Sequence, residues 1–209
     1  MLHKIIIATA LFITPFVGQQ QAFALDPAST LPAGIYKLEP THASLTWKVS
    51  HMGLSNYTAR FTKMDATLNL DTQDPTKSTL VATVDPASVK TDYPNAATKD
   101  FDKELATGET WFNAGKFPEI KYVSTSVVKT GENTATINGE LTFMGVTKPL
   151  ALAATYNGGM KEHPFTKTAT VGFSATAVLK RSDWGFSTYV PTIGDEVTLL
   201  IETEFVKAN

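Results

Sequence analysis

The chain of 209 residues contains no cysteine. The absence excludes a disulfide framework, so the fold must be held together by its hydrophobic core. It also excludes a lipoprotein, because a lipid anchor of that kind needs a cysteine directly after the signal sequence. A chain of this length can bury enough apolar surface to be stable as one domain.

Long apolar runs are scarce too. The longest covers residues 5–17; it follows His3 and Lys4 and precedes the small-x-small sequence Ala22-Phe23-Ala24. A run of about 13 residues is too short to cross a bilayer and is typical of a secretory signal peptide. The pattern predicts a cleaved signal peptide, residues 1–24, and a mature chain without an integral membrane segment. We expect export to a bacterial periplasm, with secretion as the alternative.

The chain also lacks an excess of positive charge. It has 18 Lys and Arg against 20 Asp and Glu, and Lys4 lies in the predicted signal peptide. Phosphate backbones need a concentrated positive surface, so a nucleic-acid partner is not expected. We find no linker composition, low-complexity tract or internal repeat. The sequence therefore predicts a single domain, residues 25–209, whose composition suits a small-molecule or apolar ligand.

What the chain does contain is period-two alternation, most clearly in residues 135–156. Apolar side chains alternate with polar ones on both sides of the short connection Met144-Gly145-Val146-Thr147. This pattern predicts two strands with one dry face each, joined as an antiparallel hairpin. The residues on the dry face are Ala135, Ile137, Gly139, Leu141, Phe143, Leu150, Leu152, Ala154 and Tyr156.

Similar faces recur along the chain. Short strands are predicted at residues 35–39, 45–51, 80–84 and 120–128, and longer ones at residues 169–179 and 197–205. Residues 57–71 change parity halfway, which predicts a bulge near residues 62–65. Residues 93–112 break the β pattern: Ala97, Phe101 and Leu105 are four apart, which predicts one helix ending at Gly108.

About eight amphipathic strands and one helical insertion predict an all-β fold, either an antiparallel barrel or a sandwich. A barrel of about eight strands has room inside for one small ligand. The aromatic residues Trp47, Trp111, Trp184, Phe143 and Phe173 would then either fill the core or line a pocket.

Several motifs, in order, resemble the YceI-like family of exported bacterial proteins. They extend from about residue 34 to residue 207, nearly the whole predicted mature chain. The most specific is Gly139-Glu140-Leu141-Thr142-Phe143-Met144-Gly145-Val146-Thr147-Lys148-Pro149. The others are Thr41-His42-Ala43 before Trp47, Trp111-Phe112-Asn113, Lys116-Phe117-Pro118-Glu119-Ile120, Gly172-Phe173-Ser174-Ala175, Lys180-Arg181-Ser182-Asp183-Trp184-Gly185 and Ile193-Gly194-Asp195-Glu196-Val197.

The resemblance implies a lipocalin-like, extended antiparallel β-barrel whose apolar lumen holds a polyisoprenoid or similar long-chain lipid. It implies no metal, no cofactor and no catalytic centre. Many relatives have His-Ser where this chain has His42-Ala43. Many also have an Arg and a His-Leu pair in the helix, where this chain has Lys99 and Glu104-Leu105. If these polar residues contact the head group in relatives, the head-group preference of this chain would differ. The expected lipid-binding residues are Trp47, Val49, His51, Phe61, Ile137, Leu141, Phe143, Leu152, Phe173, Ala175, Leu179, Arg181, Trp184, Val197 and Leu199.

Arg181 continues the parity of the apolar face that ends at Leu179, so a strict strand would direct its guanidinium inward. A buried charge needs a partner, which suggests a clamp on an anionic head group at the barrel mouth. The alternative is that the strand ends at Leu179 and Arg181 pairs with Asp183, Asp195 or Glu196.

His51 also has two interpretations. It is either a proton-switchable or head-group contact, or a neutral histidine that is hydrogen-bonded near a strand end. It is not expected to share a metal site with His42 and His163, because the three lie in separate stretches without ligand spacing. Glu202 and Glu204 have the parity of a solvated face, which argues against a glycosidase pair.

Three functions remain open at this stage. The first is a non-enzymatic lipid carrier, the second is an enzyme acting on an isoprenoid head group, and the third is a stress or structural barrel with a filled core. No serine lies in a nucleophile-elbow context, and the sequence offers no catalytic constellation around His51. The sequence also leaves open whether the barrel forms a homodimer.

Overall fold

A computed structural model describes residues 25–208 of the chain, so the predicted signal peptide, residues 1–24, lies outside the described residues. The described chain consists mainly of β-strands. Its elements are β1 (Gly34–Leu38), β2 (Ser44–His51), β3 (Ser55–Phe61), β4 (Met64–Leu70), β5 (Thr79–Val84), β6 (Val89–Lys90), α1 (Phe101–Thr107), β7 (Ile120–Lys129), β8 (Thr134–Phe143), β9 (Val146–Met160), β10 (Thr170–Lys180) and β11 (Ile193–Lys207).

The strands form one antiparallel barrel. Their order in the sheet is β1-β4-β5-β7-β8-β9-β10-β11, and β1 pairs with β11 to close the ring. β2 pairs with β11, β3 with β2, and β6 with β3. Each of them is also consecutive in sequence with a strand of the ring: β2 follows β1, β3 precedes β4, and β6 follows β5. Each such pair forms one long strand with a kink. When each of these three kinked strands is counted once, the barrel has eight strands, which confirms the predicted fold class and decides for the barrel over the sandwich.

Strand β11 carries the closure. One of its edges pairs with β10 from residue 196 to residue 206. The other edge is shared: β2 pairs with residues 193–202, and β1 pairs with residues 205–207. The two partners are consecutive in sequence, with a short 3₁₀ turn (Pro40–His42) between them. The barrel is therefore closed by β11, which pairs along one edge with the bent strand formed by β1 and β2.

The kinks of neighbouring strands are hydrogen-bonded to each other. The break between β3 and β4 falls at Thr62 and Lys63, within the region where a bulge was predicted. Both backbone N–H groups donate to the Ser88 hydroxyl, at 3.2 and 3.0 Å, and the N–H of Asp85 donates to the Lys63 carbonyl at 3.0 Å. The side chain of Ser88 thus satisfies groups that the interrupted ladder leaves unpaired.

The predicted hairpin is confirmed as β8 and β9, with Phe143 opposite Val146. The connection is shorter than the predicted four residues, because Val146 and Thr147 already belong to the ladder. Met144 and Gly145 alone form the turn, with φ of 49° and 76°. Positive φ at both positions is the geometry of a two-residue turn whose twist matches that of the strands.

The helix is shorter than its sequence pattern predicts. α1 begins at Phe101. The Asp100 side chain caps its N-terminus by accepting a hydrogen bond from the Lys103 N–H, and the helix ends at Gly108, as predicted. Ala97 is wrong as a member of its apolar face, because residue 97 lies in a turn before the helix. Among residues 25–208, no helix combines the length and the apolar character needed to span a bilayer.

The two ends of the barrel differ, and we name them by what covers them. The helix end carries the β2–β3 turn, the insertion 91–119 with α1, the turn at residues 144–145 and the segment 181–192. The lead end carries the N-terminal lead, residues 25–33, and the connections 71–78, 130–133 and 161–169. The lead is attached there, because the N–H of Asp26 donates to the Gly159 carbonyl at 2.7 Å and the Tyr156 hydroxyl donates to the Asp26 carbonyl at 2.7 Å.

Two apolar clusters support the wall. The larger lies toward the helix end and joins α1 to β8, β9 and β10; the smaller joins the lead to β1, β4, β10 and β11. Tyr122 ties the larger cluster to the sheet, because its hydroxyl donates to the carbonyls of Ile137 and Leu150 at 2.9 and 3.3 Å. Gly139 makes room for this ring, since a Cβ there would lie 2.4 Å from the Tyr122 ring.

The contact between Gly139 and Tyr122 gives a first test. We expect Gly139→Ala to lower the free energy of unfolding by about 1–3 kcal/mol, because the added methyl overlaps Tyr122 and the Val123 carbonyl. Gly172→Ala in β10 is the matched control, because the nearest atom to its new Cβ is at 3.8 Å. Urea midpoints at constant slope measure both changes, and equal effects of the two substitutions would contradict this account.

Candidate functional site

The barrel encloses a cavity of about 930 Å³, lined mainly by apolar side chains and reaching residues of both ends. Inward positions alternate along every strand, and a ring of eight strands is wide enough that side chains need not fill it. Several inward residues are small: Ala66, Ala82, Ala135, Ala154 and Ala175 line the wall. The small side chains on this wall leave the space open.

Fourteen of the fifteen predicted lipid-binding residues line this cavity. They are Trp47, Val49, His51, Phe61, Ile137, Leu141, Phe143, Leu152, Phe173, Ala175, Leu179, Arg181, Val197 and Leu199. Trp184 lies elsewhere: it is buried in the 3₁₀ turn Arg181–Trp184, and its Nε1 donates to the Leu141 carbonyl at 3.1 Å. The structure thus gives Trp184 a packing role. Lipid contact by the other fourteen stays a prediction.

The cavity wall also includes residues that the predicted site does not contain. Trp111 and Phe112 belong to the insertion, and Phe186 belongs to the segment after β10. The centroid of the Phe186 ring lies 5.8 Å from that of Trp111 and 5.5 Å from that of Phe112. They lie outside any strand, so no alternation could have identified them. Tyr122 and Leu45 also line the cavity, and here the parity of their strands was a usable signal.

Arg181 forms none of the three carboxylate pairs that the sequence suggests, and its role as a head-group clamp stays a prediction. Strand β10 ends at Lys180, and Arg181 begins the following 3₁₀ turn. Its side chain is buried; Nε donates to the Gly194 carbonyl at 2.8 Å, Nη2 to Ile193 at 2.9 Å and Nη1 to Phe186 at 3.2 Å. Among residues 25–208 no carboxylate lies within ion-pair distance of it. The guanidinium therefore fastens the segment 181–192 to the start of β11.

The nearest acid, Asp195, has other partners. Its carboxylate accepts hydrogen bonds from the Ser182 N–H at 2.9 Å and from the Ser182 hydroxyl at 2.7 Å. Burial opposes ionisation of this group, but the bonds from Ser182 and the charges of Arg181 and Lys180 outweigh it and lower the pKa of Asp195. Burial in turn lowers the pKa of Arg181, against the attraction of Asp195. The lowered pKa keeps Asp195 ionised at neutral pH, and an arginine side chain is effectively always protonated.

His51 is the last residue of β2 and is half-buried on the cavity wall. No described residue forms a hydrogen bond with its imidazole, so its strand-end position is as predicted but its hydrogen bond is not found. His42 and His163 do not line the cavity, and the described residues contain no cluster of three or more metal-binding side chains. Glu202 is exposed and accepts from Ser174, in agreement with a solvated outer face.

Burial also affects the tyrosines of the wall. It raises the pKa of Tyr122 to about 12, and it raises the pKa of Tyr156 to about 12 with smaller contributions from Asp26 and Tyr36. Both hydroxyls act as donors to backbone carbonyls. Neither is suited to be a general base near neutral pH, because each stays protonated.

These features define a class: a closed antiparallel β-barrel around a mainly apolar lumen. The profile of the YceI-like domain matches residues 36–205, and the chain belongs to this family. A relative named UPF0312 protein, from Pseudomonas fluorescens (strain SBW25), is 37% identical over 186 residues, which cover 88% of this chain and 92% of the relative. The resemblance inferred from the motifs is confirmed.

Solved structures agree on the fold. The YCEI protein of Campylobacter jejuni has a TM-score of 0.66 and 27% identity, and the match covers 78% of this chain and 91% of that one. A polyisoprenoid binding domain from Saccharophagus degradans has a TM-score of 0.61 and 12% identity, over 85% of this chain and all of that one. At this low identity the second match shows only a shared barrel fold.

Replacing the Arg181 guanidinium tests its role as a fastener. We expect Arg181→Met to lower the free energy of unfolding by about 3 kcal/mol, because it leaves three carbonyls without a donor. Lys180→Met, at the exposed neighbouring position, is the control and should stay within about 0.5 kcal/mol. Urea unfolding measures both. A loss of ligand affinity without any loss of stability in Arg181→Met would instead favour the head-group clamp.

Proposed function

We propose that this protein is an exported lipid-binding protein that holds a polyisoprenoid or similar long-chain amphiphile in its barrel lumen. The observation that carries the proposal is the mainly apolar cavity of about 930 Å³ inside the closed barrel. The polyisoprenoid binding domain that shares the fold supports it by analogy. We propose transport or storage of the lipid as the role, and the periplasm as the compartment, on the strength of the N-terminal signal pattern.

The size of the cavity suits a long chain. At about 30 Å³ for a water-sized group, the cavity has room for roughly thirty carbon-sized groups. A tail that buries several hundred Å² gains on the order of 10–15 kcal/mol gross, at about 25 cal/mol/Å². Association and ordering costs offset part of this gain, but enough remains for the lipid to copurify. Apolar contacts distinguish chain lengths poorly, so we expect a loosely selected tail.

The two rival functions have less support. An enzyme would need a nucleophile or base beside the head group; His51 is the candidate, and no described residue orients its imidazole. A structural barrel with a filled core does not account for a wall lined with alanines around open space. Turnover of a lipid pyrophosphate that disappeared in His51→Ala would support the enzyme.

Native mass spectrometry tests the proposal directly. The full chain, expressed with its N-terminal segment and purified without detergent, should show a discrete added mass that matches a lipid in an organic extract of the same sample. A protein that is ligand-free and remains so after incubation with polyprenyl lipids would contradict the proposal and favour the structural barrel.

A matched pair of substitutions tests whether the lumen is the binding site. Ala175 lines the cavity, and the next residue, Thr176, is exposed on the outer face of β10. We expect Ala175→Phe to fill part of the lumen and to lower the bound lipid at least tenfold at unchanged secondary structure. Thr176→Phe should retain the lipid of the wild type. Equal lipid content in the two variants, measured by mass spectrometry of extracts, would place the lipid outside the lumen.

A further inference from the structure

Two unsatisfied polar side chains are neighbours on the cavity wall. Within residues 25–208, the buried side-chain nitrogen and oxygen atoms that lack a hydrogen-bond partner are Trp47 Nε1 and Tyr57 Oη. Both residues line the cavity, and their ring centroids are 6.3 Å apart. Buried polar groups in native proteins are nearly always paired, so two such groups on one stretch of wall call for a partner that the chain itself does not supply.

His51 adds a third polar group to the same stretch of wall. Val49 of β2 lies opposite Tyr57 of β3, so Trp47 and His51 are the two diagonal neighbours of Tyr57 on the inner face. Diagonal neighbours in an antiparallel pair are within reach of aromatic and long side chains. The His51 imidazole also lacks a hydrogen-bond partner among the described residues. We call Trp47, Tyr57 and His51 the polar row.

Thr91 does not satisfy the Tyr57 hydroxyl. Burial raises the pKa of Tyr57, and the hydroxyl of Thr91 lowers it to a smaller extent. The Thr91 hydroxyl donates instead to the Asp102 carboxylate at 2.6 Å, and it forms no hydrogen bond of ordinary geometry with Tyr57 Oη. Because the pKa of Tyr57 is raised, its phenol stays protonated at neutral pH and is available as a donor.

The polar row offers more donors than acceptors. An indole N–H only donates, a protonated phenol donates and can also accept, and a neutral imidazole donates through one nitrogen and accepts through the other. A carbonyl oxygen has two lone pairs and no proton, so it can accept from two of these donors at once. The rings of Phe101 and Phe112 pack against the row, with centroids 6.2 Å from Tyr57 and 6.3 Å from Trp47. Hydrogen bonds are electrostatically stronger in such apolar surroundings.

The charged side chains around the polar row already have partners. The ion pairs are Lys99–Glu104 at 3.0 Å, Lys90–Asp102 at 3.0 Å and Arg60–Asp92 at 2.6 Å. The guanidinium of Arg181, which also lines the cavity, donates to three backbone carbonyls. Asp102 and Asp92 are close enough to Tyr57 to raise its pKa, so they would also repel an anionic head group. An uncharged head group avoids this cost.

Contact with the two enclosed atoms requires a small rearrangement. Trp47 Nε1 and Tyr57 Oη are covered by neighbouring protein atoms in this structure. Turning either group toward a ligand oxygen breaks no hydrogen bond, because neither atom has one. His51 lines the cavity at the end of its strand and is only half-buried. The imidazole is therefore the first member of the row that a head group meets.

We propose that the lipid's head group lies at the helix end against the polar row, and that it is an uncharged group with a carbonyl oxygen, as in ketones, esters and quinones. The tail then runs toward the lead end, past Ala175 and Phe173. This inference rests on the proposed lipid-binding function. It adds the orientation of the lipid, the chemical class of its head and the residues that select this head.

Retention from a mixture tests the chemical class. The wild-type protein is freed of bound lipid on a hydrophobic resin and equilibrated with equal amounts of 2-heptadecanone and heptadecane, which differ only in the carbonyl group. We expect the repurified protein to retain about tenfold more ketone than alkane, as for two neutral hydrogen bonds that are partly realised. Equal retention would overturn the inference and leave lipid binding intact, whereas retention of neither compound would contradict the proposed function itself.

The absence of charge on the head group is tested in the same way. From an equal mixture of 2-heptadecanone and hexadecyl phosphate, we expect the ketone to be retained in large excess. The two chains are of similar length, so the difference reports on the head group. Equal or preferred retention of the phosphate would overturn the uncharged class.

A matched pair of tyrosine variants tests the location. Tyr57→Phe removes an unpaired hydroxyl, so we expect the ketone-to-alkane ratio to fall about fivefold while the stability of the ligand-free protein is unchanged or higher. Tyr156→Phe is the control at the lead end. The Tyr156 hydroxyl already donates to the Asp26 carbonyl at 2.7 Å, so this variant should lose stability and keep the wild-type ratio. A ratio that is unchanged in Tyr57→Phe, or that falls only in Tyr156→Phe, would overturn the inference.

The carbonyl stretch of the bound ketone separates direct contact from a structural effect. In isotope-edited infrared spectra of the wild-type complex, we expect this stretch at a lower frequency than in hexane, because hydrogen bonds weaken the C=O bond. His51→Leu and Tyr57→Phe should each return the frequency part of the way toward the hexane value. A wild-type complex with the hexane frequency would show that no donor reaches the carbonyl and would overturn the inference.

Discussion

The structure depends on one geometric constraint: side chains of a strand alternate between two faces, and the interior of an eight-stranded barrel is either filled by side chains or left open for one small ligand. The inner faces must be apolar for the barrel to form in water, and in this chain many of them are also small. Ala154 and Ala175 face each other across β9 and β10, with Ile201 beside them on β11. The apolar surface that stabilises the barrel is the same surface that encloses its cavity.

The asymmetry of the two ends follows from what connects the strands. At the helix end, the insertion and the segment 181–192 bring aromatic rings over the barrel and are held by Arg181 and by the hydroxyl of Thr188, which donates to the Thr110 carbonyl at 2.5 Å. At the lead end, the connections are shorter than the insertion at the helix end, and the lead packs beside them. Gln73 contacts it weakly, with Nε2 at 3.3 Å from the Ser29 carbonyl. Both ends thus contain packed apolar side chains, but the larger cluster lies toward the helix end.

The fold was largely predictable from the sequence, and the cavity wall was predictable in part. Period-two alternation identified the strands and the hairpin β8–β9, and the same parity placed Phe173 and Leu199 on the wall, because one register determines the face of every residue in a strand. Trp184 does not line the cavity, and Arg181 lacks the predicted carboxylate partner; both lie in the turn after Lys180, where strand parity has no meaning. The rings of Trp111, Phe112 and Phe186 come from irregular segments whose positions depend on tertiary packing. No local pattern could reveal those positions.

The closure between β1 and β11 has a consequence for how the molecule comes into being. It joins Tyr36 to Lys207, nearly the full length of the chain apart, through three paired positions. Contacts so distant in sequence form late and slowly, because the loop entropy must be overcome first. Until β11 is in place, β1, β2 and β10 present open edges that invite pairing with other chains. A nascent chain of this protein therefore remains aggregation-prone until its last fifteen-residue strand has docked, and it is then that the lumen becomes enclosed.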